Sequence, residues 1–504
     1  MKAYLIRGAF YLLLLLALCV IPFALAQRTT AKENRPANTI TVTNTNDSGP
    51  GSLRQALADV IDGDTINFTV TGAIGLTSGE LLVDKAMTIS GPGAESLGVD
   101  GNAKSRVFHV TGGNVTISDL TITNGNAGGI QFGGGIYNDH STLTVNNSTI
   151  GGNVANQGGG IGNDGQASGA ATLQINNSRI SGNSGDAIFN YGAYAGYAAV
   201  QINSSSITGN AGYGIFSVGC IENVCGQATV QVDSCTLSAN NGGIFADPRS
   251  HLVVANSTLS GNGVAVSNYY NVSTSSISNC TLNETSVNTN DIDNYGGFVT
   301  INNTVLKVGS PGHSIVNVGG NVNSLGYNLS NDDGGGYLNG LGDQINTDPL
   351  LGSLQDNGGP TFTHALLPGS PAIDSGDPNL NPPPPAYDQR GPGFDRVRNG
   401  RIDIGSFEVQ ATPTPTPTHT PTPRPTPTPR ARPTPARRPQ LRRLRSTARG
   451  QCTADAVQAF GEHFGVHADA NAKMIGHFKE ATWDHGRIEF GTQALEKTVS
   501  VSIE

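Results

Sequence analysis

The 504-residue sequence has few charged residues and few cysteines. Charged residues make up 13% of it, and it holds six Cys. Small secreted domains that rely on disulfides are far richer in Cys, so cross-links are not what stabilises this fold. The sequence also lacks a glycine-rich phosphate loop between a strand and a helix, which argues against a nucleotide-binding enzyme. Its 67 Gly do not recur at every third position, which excludes collagen.

The N-terminus has the pattern of a secretory signal peptide. Lys2 and Arg7 precede an apolar run over 9–20, and a small-x-small cleavage site ends at Ala26. We therefore predict that residues 1–26 are a signal peptide cleaved after Ala26, and that the mature protein is secreted or at the cell surface. A membrane-spanning helix is the alternative, but the run is shorter than the roughly 20 apolar residues that spanning requires. No transmembrane segment is predicted after cleavage.

Charge is unevenly distributed along the chain. Residues 27–410 carry 14 basic and 30 acidic residues, a net charge of 14 − 30 = −16, whereas 411–450 holds nine Arg and no acid. An acidic body argues against nucleic acid as a partner.

An internal repeat dominates residues 71–339. Each unit has apolar residues at i and i+2, a turn of Asn, Asp or Ser, and a third apolar residue near i+7. That third position falls, at steps of 22 to 30 residues, on Ile150, Ile180, Ile207, Leu237, Leu259, Leu282 and Val305, with weaker copies at Ile89 and Ile122. Each unit therefore consists of a strand, a turn, a second strand and a third short apolar piece, which together form one coil of a solenoid. The repeat predicts an all-β, right-handed parallel β-helix, the pectin-lyase-like solenoid.

Stacked coils place equivalent residues one above another. We expect aliphatic ladders inside and paired Asn side chains at the turns. Cys235 and Cys280 occupy equivalent positions two coils apart, about 9–10 Å at the strand spacing, so we predict free, buried thiols. Cys220 and Cys225 are close enough in sequence to close a small loop, and they are our disulfide candidates.

Residues 39–70 have the pattern of an N-terminal cap. A strand over 40–44 precedes an amphipathic helix over 52–61, and a second strand follows over 64–70. Ser52 suits the N-cap of that helix. Open solenoid ends expose unpaired strand edges, which is why a cap is expected.

Composition changes three times after the coils. Residues 340–409 are expected to form the C-terminal end of the β-helix. The Thr/Pro- and Arg-rich stretch 411–450 is typical of an extended linker. Residues 451–504 are predicted to form a small α+β module, with a helix over 455–481 and two strands after it.

Four of the ten His lie in this last module. His463 and His467 are four residues apart and share a face on a helix, which makes them weak candidates for a metal pair. No third ligand is placed by spacing, and no cofactor is indicated. Calcium could bind where acids stack in the solenoid, but no run of three carboxylates occupies equivalent repeat positions.

The ends of the solenoid resemble a known bacterial family. The segments NDSGPGSLRQAL (46–57) and DQRG…IDIGSFE (388–408), together with the coils, resemble the "choice-of-anchor" secreted β-helix proteins, the anchor-Q type in particular. The resemblance covers 39–409. The repeated GGGI-x-N (133–138 and 158–163) is more weakly similar to chlamydial polymorphic outer-membrane proteins. The first resemblance implies an exported or surface protein and supplies no activity.

Two functions follow from these patterns. The first is a non-catalytic adhesion, structural or carbohydrate-binding module; the alternative is a polysaccharide lyase or glycoside hydrolase acting on an extracellular polymer. Fragments similar to polygalacturonase motifs occur at 312–313, 332–333 and 346–348, but in reversed order, so we interpret them as turns. We expect a monomer whose partner is an extracellular polysaccharide or a host or cell surface.

No catalytic residues are predicted. Exposed tyrosines are the candidate carbohydrate contacts, because Tyr rings stack on the flat apolar faces of sugars. They are Tyr191, Tyr194, Tyr197, Tyr269 and Tyr270.

Overall fold

The computed structural model describes residues 36–128, 132–222, 224–270, 272–286, 288–379 and 383–410, and the backbone of 481–484, 487–490 and 501–502. The chain divides into two compact units, Met1–Thr416 and Pro417–Glu504. The predicted signal peptide, the linker over 411–450 and both histidine candidates, His463 and His467, lie outside the described residues.

Three parallel sheets build the first unit. Sheet 1 has twelve strands: Thr39–Val42, Thr65–Phe68, Met87–Ser90, Asn114–Ser118, Thr142–Asn146, Ala170–Asn176, Tyr197–Asn203, Gln227–Asp233, Ser250–Ala255, Thr274–Ser278, Phe298–Asn302 and Asn321–Gly326. Sheet 2 has eleven: Gly72–Gly75, Leu97–Asp100, Thr121–Thr123, Thr149–Gly151, Arg179–Ser181, Ser206–Thr208, Thr236–Ser238, Thr258–Ser260, Thr281–Glu284, Val305–Val308 and Leu329–Ser330. Sheet 3 has ten: Leu81–Val83, Phe108–Val110, Ile136–Asp139, Ile161–Asp164, Ile188–Tyr191, Tyr213–Val218, Gly242–Ala246, Val264–Tyr269, Asn290–Tyr295 and Ile315–Val318.

Each coil contributes one strand to each sheet, and each strand pairs with its equivalent in the next coil. This confirms the right-handed parallel β-helix. Alternate side chains point inward, where aliphatic residues stack into one continuous core. The predicted ladder of third apolar positions needs two corrections. Leu306, not Val305, pairs with Leu282, and Ile89 belongs to sheet 1, where it pairs with Ile66 and Ile117.

The N-terminal segment covers the first coil much as its sequence predicts. Its helix, α1, runs over Leu53–Asp59, between the sheet 1 strands Thr39–Val42 and Thr65–Phe68. The hydroxyl of Ser52 accepts a 3.2 Å hydrogen bond from the backbone N–H of Gln55, the geometry of an N-cap. The buried face of α1 joins the solenoid core.

Asparagine side chains form the expected ladders at the turns. In the turn after sheet 2, each amide donates to the carbonyl oxygen of its equivalent in the next coil. The members are Asn153, Asn183, Asn210, Asn240 and Asn262, joined by bonds of 2.8–3.1 Å. All five are buried, so the ladder satisfies polar groups that have no access to water.

The cysteines follow the register of the coils. Cys235 and Cys280 are free and fully buried. Each thiol contacts the backbone carbonyl two residues earlier, as the Ser148 and Ser178 hydroxyls do in their coils. Burial raises the pKa of both thiols to about 12.

Residues after the last coil fold back along the side of the rod. A short 3-10 turn, Gly334–Gly336, and Leu338 cover the end of the core. Residues 351–379 and 383–410, which we call the strap, then lie on the outer face of sheet 2, starting with the antiparallel strands Leu351–Gln355 and Thr363–Leu366. The strap and sheet 2 share an apolar cluster formed by Val305, Leu329, Leu366, Ala372, Ile404 and Phe407.

In the second unit, three antiparallel strands are described, Ala481–Asp484, Arg487–Phe490 and Val501–Ser502. Residue 481, expected to end a helix, begins a strand instead. Among the helices in the described parts of the chain, none is both long and apolar enough to cross a membrane.

Candidate functional site

An unbroken row of rings runs along the outer face of sheet 3. Neighbouring rings have centroids 4.6–5.9 Å apart, and the row spans eight successive strands, from Phe108–Val110 to Asn290–Tyr295. At about 4.8 Å per coil, seven steps make a strip about 34 Å long. We call it the aromatic row; in order, its members are His109, Tyr137, Phe132, Phe189, Phe216, Phe245, Tyr269 and Tyr295.

Strand register explains most of the row. In most coils the inward residue of sheet 3 is followed by one outward ring. In the last two coils of the row Ser267 and Asp293 take that position, and Tyr269 and Tyr295 supply the rings two residues later. Gly162 takes this position in one coil, and Phe132 from the preceding loop fills its place. A Cβ atom on Gly162 would lie 2.8 Å from the Cβ of Phe132, so only glycine leaves room for this ring.

The row presents ring edges and tyrosine hydroxyls to its surroundings, because ring faces are largely occupied by neighbours. Phe189 is 3% exposed, while Phe216, Phe245, Tyr269 and Tyr295 are half-buried. Exposed aliphatic side chains extend the strip at both ends, Leu82 beside His109 and Val318 beside Tyr295. Contiguous apolar strips on a polar surface are typical of binding grooves.

The five predicted tyrosines divide between three environments. Tyr269 belongs to the row, and Tyr191 packs on Phe189 beside it but is only 5% exposed, contrary to the expectation that it is exposed. Tyr194 and Tyr270 are exposed rings that flank these two, with centroid distances of 6.3 and 6.2 Å. Tyr197 begins a strand of sheet 1 and contacts Thr229, away from the row.

A small hairpin lies against the middle of the row. Cys220–Ile221 pairs antiparallel with Val224–Cys225, and a disulfide joins Cys220 to Cys225. Ile221 packs on the cluster formed by Phe189 and Tyr191. The hairpin therefore helps to bury the central rings.

Charged groups surround the first rings of the row. His109 lies between two carboxylates, with Nδ1 3.2 Å from Glu80 and Nε2 3.2 Å from Asp139. Arg106 forms a 2.5 Å ion pair with Glu80, and its guanidinium lies 4.9 Å from the centroid of Tyr137. The Tyr137 hydroxyl donates a 2.8 Å hydrogen bond to the buried Asp164. We call these six residues the His109 cluster.

Electrostatics favour a protonated His109. Hydrogen bonding to Glu80, followed by that to Asp139, raises the pKa of the imidazole despite its partial burial. The same contact with His109, helped by the charge of Arg106, lowers the pKa of Glu80. Burial raises the pKa of the Tyr137 phenol. The raised pKa of His109 favours the protonated imidazole over the free base.

A pocket of about 370 Å³ adjoins the cluster, and Glu80 and Arg106 line one side of it. Backbone carbonyls of Phe132 and Gly133 accept from the Arg106 guanidinium, so the loop that carries Phe132 is fixed to the cluster. Ring strip, charged cluster and pocket are therefore one continuous surface.

The sequence motifs at the C-terminal coils are structural in this geometry. Asp332 accepts from the backbone N–H of Gly334, and Asp333 accepts from that of Gly335, which stabilises the glycine turn.

The other members of the aromatic row and the whole His109 cluster were missed by sequence reasoning. Aligning the third strands of the coils, rather than the first two, would have exposed their outward ring position.

Solved structures with this fold include polysaccharide-cleaving enzymes. Pectate lyase Pel9A is 14% identical, with a TM-score of 0.45, over 75% of this chain and 97% of its own. A mutant of the PL6 family alginate lyase AlyGC is 12% identical, with a TM-score of 0.35, over 74% of this chain and 60% of its own. A mannuronic acid specific family 6 lyase from human gut microbiota is 11% identical, with a TM-score of 0.29, over 58% and 80%.

These similarities concern the fold, a parallel β-helix of the pectate lyase type. The activities in their names are those of the solved proteins. No protein-family model matches the chain, and no curated protein matches it.

Proposed function

We propose that this protein is exported and binds an extended extracellular polysaccharide along the outer face of sheet 3. The observation that carries the proposal is the aromatic row, an apolar strip about 34 Å long at the spacing of the coils. Sugar rings combine apolar C–H faces with hydroxyls, and the strip combines ring edges with the hydroxyls of Tyr137, Tyr269 and Tyr295. Exposed Tyr194 and Tyr270 supply free ring faces at its margin.

Two features of the sequence support this setting. The signal peptide pattern and the choice-of-anchor resemblance both favour a protein that acts outside the cell and is held there. The net charge of −16 over residues 27–410 favours a neutral polymer over a densely anionic one.

Retention on insoluble polysaccharides tests the binding proposal. We expect the mature chain to be retained on at least one neutral polymer, and Tyr270→Ala with Tyr194→Ala to weaken retention about tenfold or more. The matched control is Tyr387→Ala, because Tyr387 is 40% exposed but lies on the strap. Equal retention of the double variant and the control would sink the proposal.

A second candidate function is cleavage of the bound polymer at the His109 cluster. The specific observation is an imidazole held between two carboxylates, next to a phenol, at one end of the strip. Both ring nitrogens are hydrogen-bonded to carboxylates, so a leaving oxygen would have to replace Glu80 or Asp139 to take a ring proton, the general-acid half of glycosidic bond cleavage.

Product release separates this candidate from simple binding. Reducing ends and unsaturated products would be followed for the wild-type protein and for His109→Gln. Cleavage by the wild type that is lost in His109→Gln, with retention on the polymer unchanged, supports catalysis. Retention without any product in the wild type leaves binding alone.

A further inference from the structure

Three carboxylates of the strap converge, although one of them lies 29 residues before the other two begin. One oxygen each of Asp374, Asp403 and Glu408 lies within 4.8 Å of the others. Asp403 and Glu408 are 1% and 0% exposed, and Asp374 is half-buried. This group, which we call the strap triad, is far from the aromatic row in the fold, because the strap packs on sheet 2.

Backbone contacts hold the triad in place. Asp403 accepts from the backbone N–H groups of Asp374 and Val409, both at 2.7 Å, and Glu408 Oε2 accepts from that of Asp403 at 2.9 Å. The second oxygen of Glu408, Oε1, is buried and has no hydrogen-bond partner among the described residues. An unpartnered buried carboxylate oxygen costs free energy, so its presence beside two further carboxylates points to a ligand.

Neighbouring cations do not neutralise the triad. The buried Arg396 contributes one positive charge, and its Nη2 bonds to the carbonyls of Asp403 and Gly405 rather than to the carboxylates. Arg398 is bound to Gln410. Three carboxylates and one guanidinium leave an excess of two negative charges, the charge that a divalent cation offsets.

The ligand atoms of the triad and the geometry that each ion prefers determine which cation the site suits. The triad offers only oxygen, which suits Ca²⁺ or Mg²⁺ rather than Zn²⁺. Ca²⁺ accepts irregular sets of six to eight oxygen ligands, whereas Mg²⁺ demands near-ideal octahedral geometry, so carboxylates already held by their own hydrogen bonds favour Ca²⁺. A pocket of about 180 Å³ adjoins the triad and leaves room for water ligands; Asp374, Asp403 and Gln410 line it together with Arg398, whose charge is paired with Asp395 at 3.6 Å.

We propose that the strap triad of Asp374, Asp403 and Glu408 binds one Ca²⁺ ion, which fixes the strap to the side of the solenoid. The site is independent of polysaccharide binding, and neither proposal needs the other.

Calcium titration of the mature, chelator-stripped chain tests the site. We expect isothermal titration calorimetry to give one binding event that Asp374→Asn weakens at least tenfold. Saturating Ca²⁺ is expected to raise the melting temperature by about 3–8 °C in the wild type and by much less in the variant. Asp374 is the residue to change because its carboxylate accepts only from Asn399, and because Asn tolerates its positive φ of 51°.

Asp377→Asn is the matched control, since Asp377 is half-buried, three residues away and outside the triad. It should bind Ca²⁺ like the wild type. Should Asp374→Asn fail to fold, Glu408→Gln and elemental analysis of the calcium-reloaded wild type give the answer. No bound calcium in the wild type would overturn the proposal. Equal Ca²⁺ affinity in the wild type, Asp374→Asn and Glu408→Gln would overturn it too.

Discussion

Asn262 donates a 2.9 Å hydrogen bond from its side-chain amide to Oε1 of Glu284, and this bond ends the asparagine ladder. Glu284 is fully buried, and its Oε2 has no hydrogen-bond partner among the described residues. Burial raises the pKa of Glu284 to about 8, so the carboxyl is protonated at neutral pH. A protonated glutamic acid thus continues a row of amides.

Replacing Glu284 by Gln should remove a pH dependence of stability. The pKa of Glu284 is raised on folding. The stability that its protonation contributes is therefore fully present below pH 4.5 and is lost as pH rises through about 8. Between these two pH values the free energy of unfolding of the wild type falls by up to about 1.4 kcal/mol per pH unit. Urea unfolding between pH 5 and 8.5 should show a shallower decline for Glu284→Gln. Glu95→Gln, at an exposed site, should follow the wild type, and parallel curves for all three would contradict the assignment.

His109 should titrate above its usual pKa of 6.5, because two carboxylates stabilise its charged form. Its contribution to stability is present below about pH 6.5 and disappears as pH rises through the raised pKa. Proton NMR of the imidazole should show the pKa falling in Glu80→Gln, where the strongest hydrogen bond loses its charge. Asp84→Asn, a change at a nearby exposed residue, should leave the pKa of His109 unchanged. A wild-type pKa at or below 6.5 would refute the cluster's geometry.

Phe245→Ala should destabilise the solenoid by about 1.5–3 kcal/mol, less than a full core truncation because the ring is half-buried. The ring lies 4.6 Å from Phe216 and 4.9 Å from Tyr269, and removing it interrupts the aromatic row. Chemical denaturation measures the loss. Phe298→Ala, at a 51% exposed site on sheet 1, should cost under about 0.5 kcal/mol, and similar losses at both sites would argue against a packed row.

Gln389→Ala should loosen the strap by about 2–4 kcal/mol, since it leaves buried polar groups unpaired. Its amide accepts from Thr258 at 2.6 Å and donates to Thr236, Thr361 and the Phe362 carbonyl at 3.0–3.1 Å. Hydrogen exchange should rise across 351–410. The exposed Gln355→Ala serves as the control. Unchanged exchange in Gln389→Ala would mean that other contacts hold the strap.

The fold was predictable because it repeats. Each coil restates the same apolar spacing and Asn turn, so the ladders, the buried Cys235 and Cys280 and the cap helix are all visible in the sequence. The aromatic row was not, since its rings come from third strands of varying spacing. Phe132 even reaches the row from a loop, in place of Gly162. No pattern within a single coil predicts that a loop residue supplies the ring in place of a strand residue.

The strap triad was beyond sequence reasoning for a different reason. Asp374 and Asp403 are 29 residues apart and belong to no repeat, so only the path of the strap brings them together. The sequence suggested calcium only where acids stack through the coil period, and it contains no run of three such carboxylates. The candidate set is instead local to the strap, which does not follow that period.

The strap also changes how the rod unfolds. In a solenoid, each coil is coupled only to its neighbours, and the structure frays one coil at a time. The strap bonds directly to Thr236, Thr258, Thr281 and Asn303, in four successive coils, and ties them into one cooperative block. Coils before residue 208 have no such tie among the described residues. The solenoid therefore has two cooperativity regimes, one that unravels gradually and one that melts as a unit.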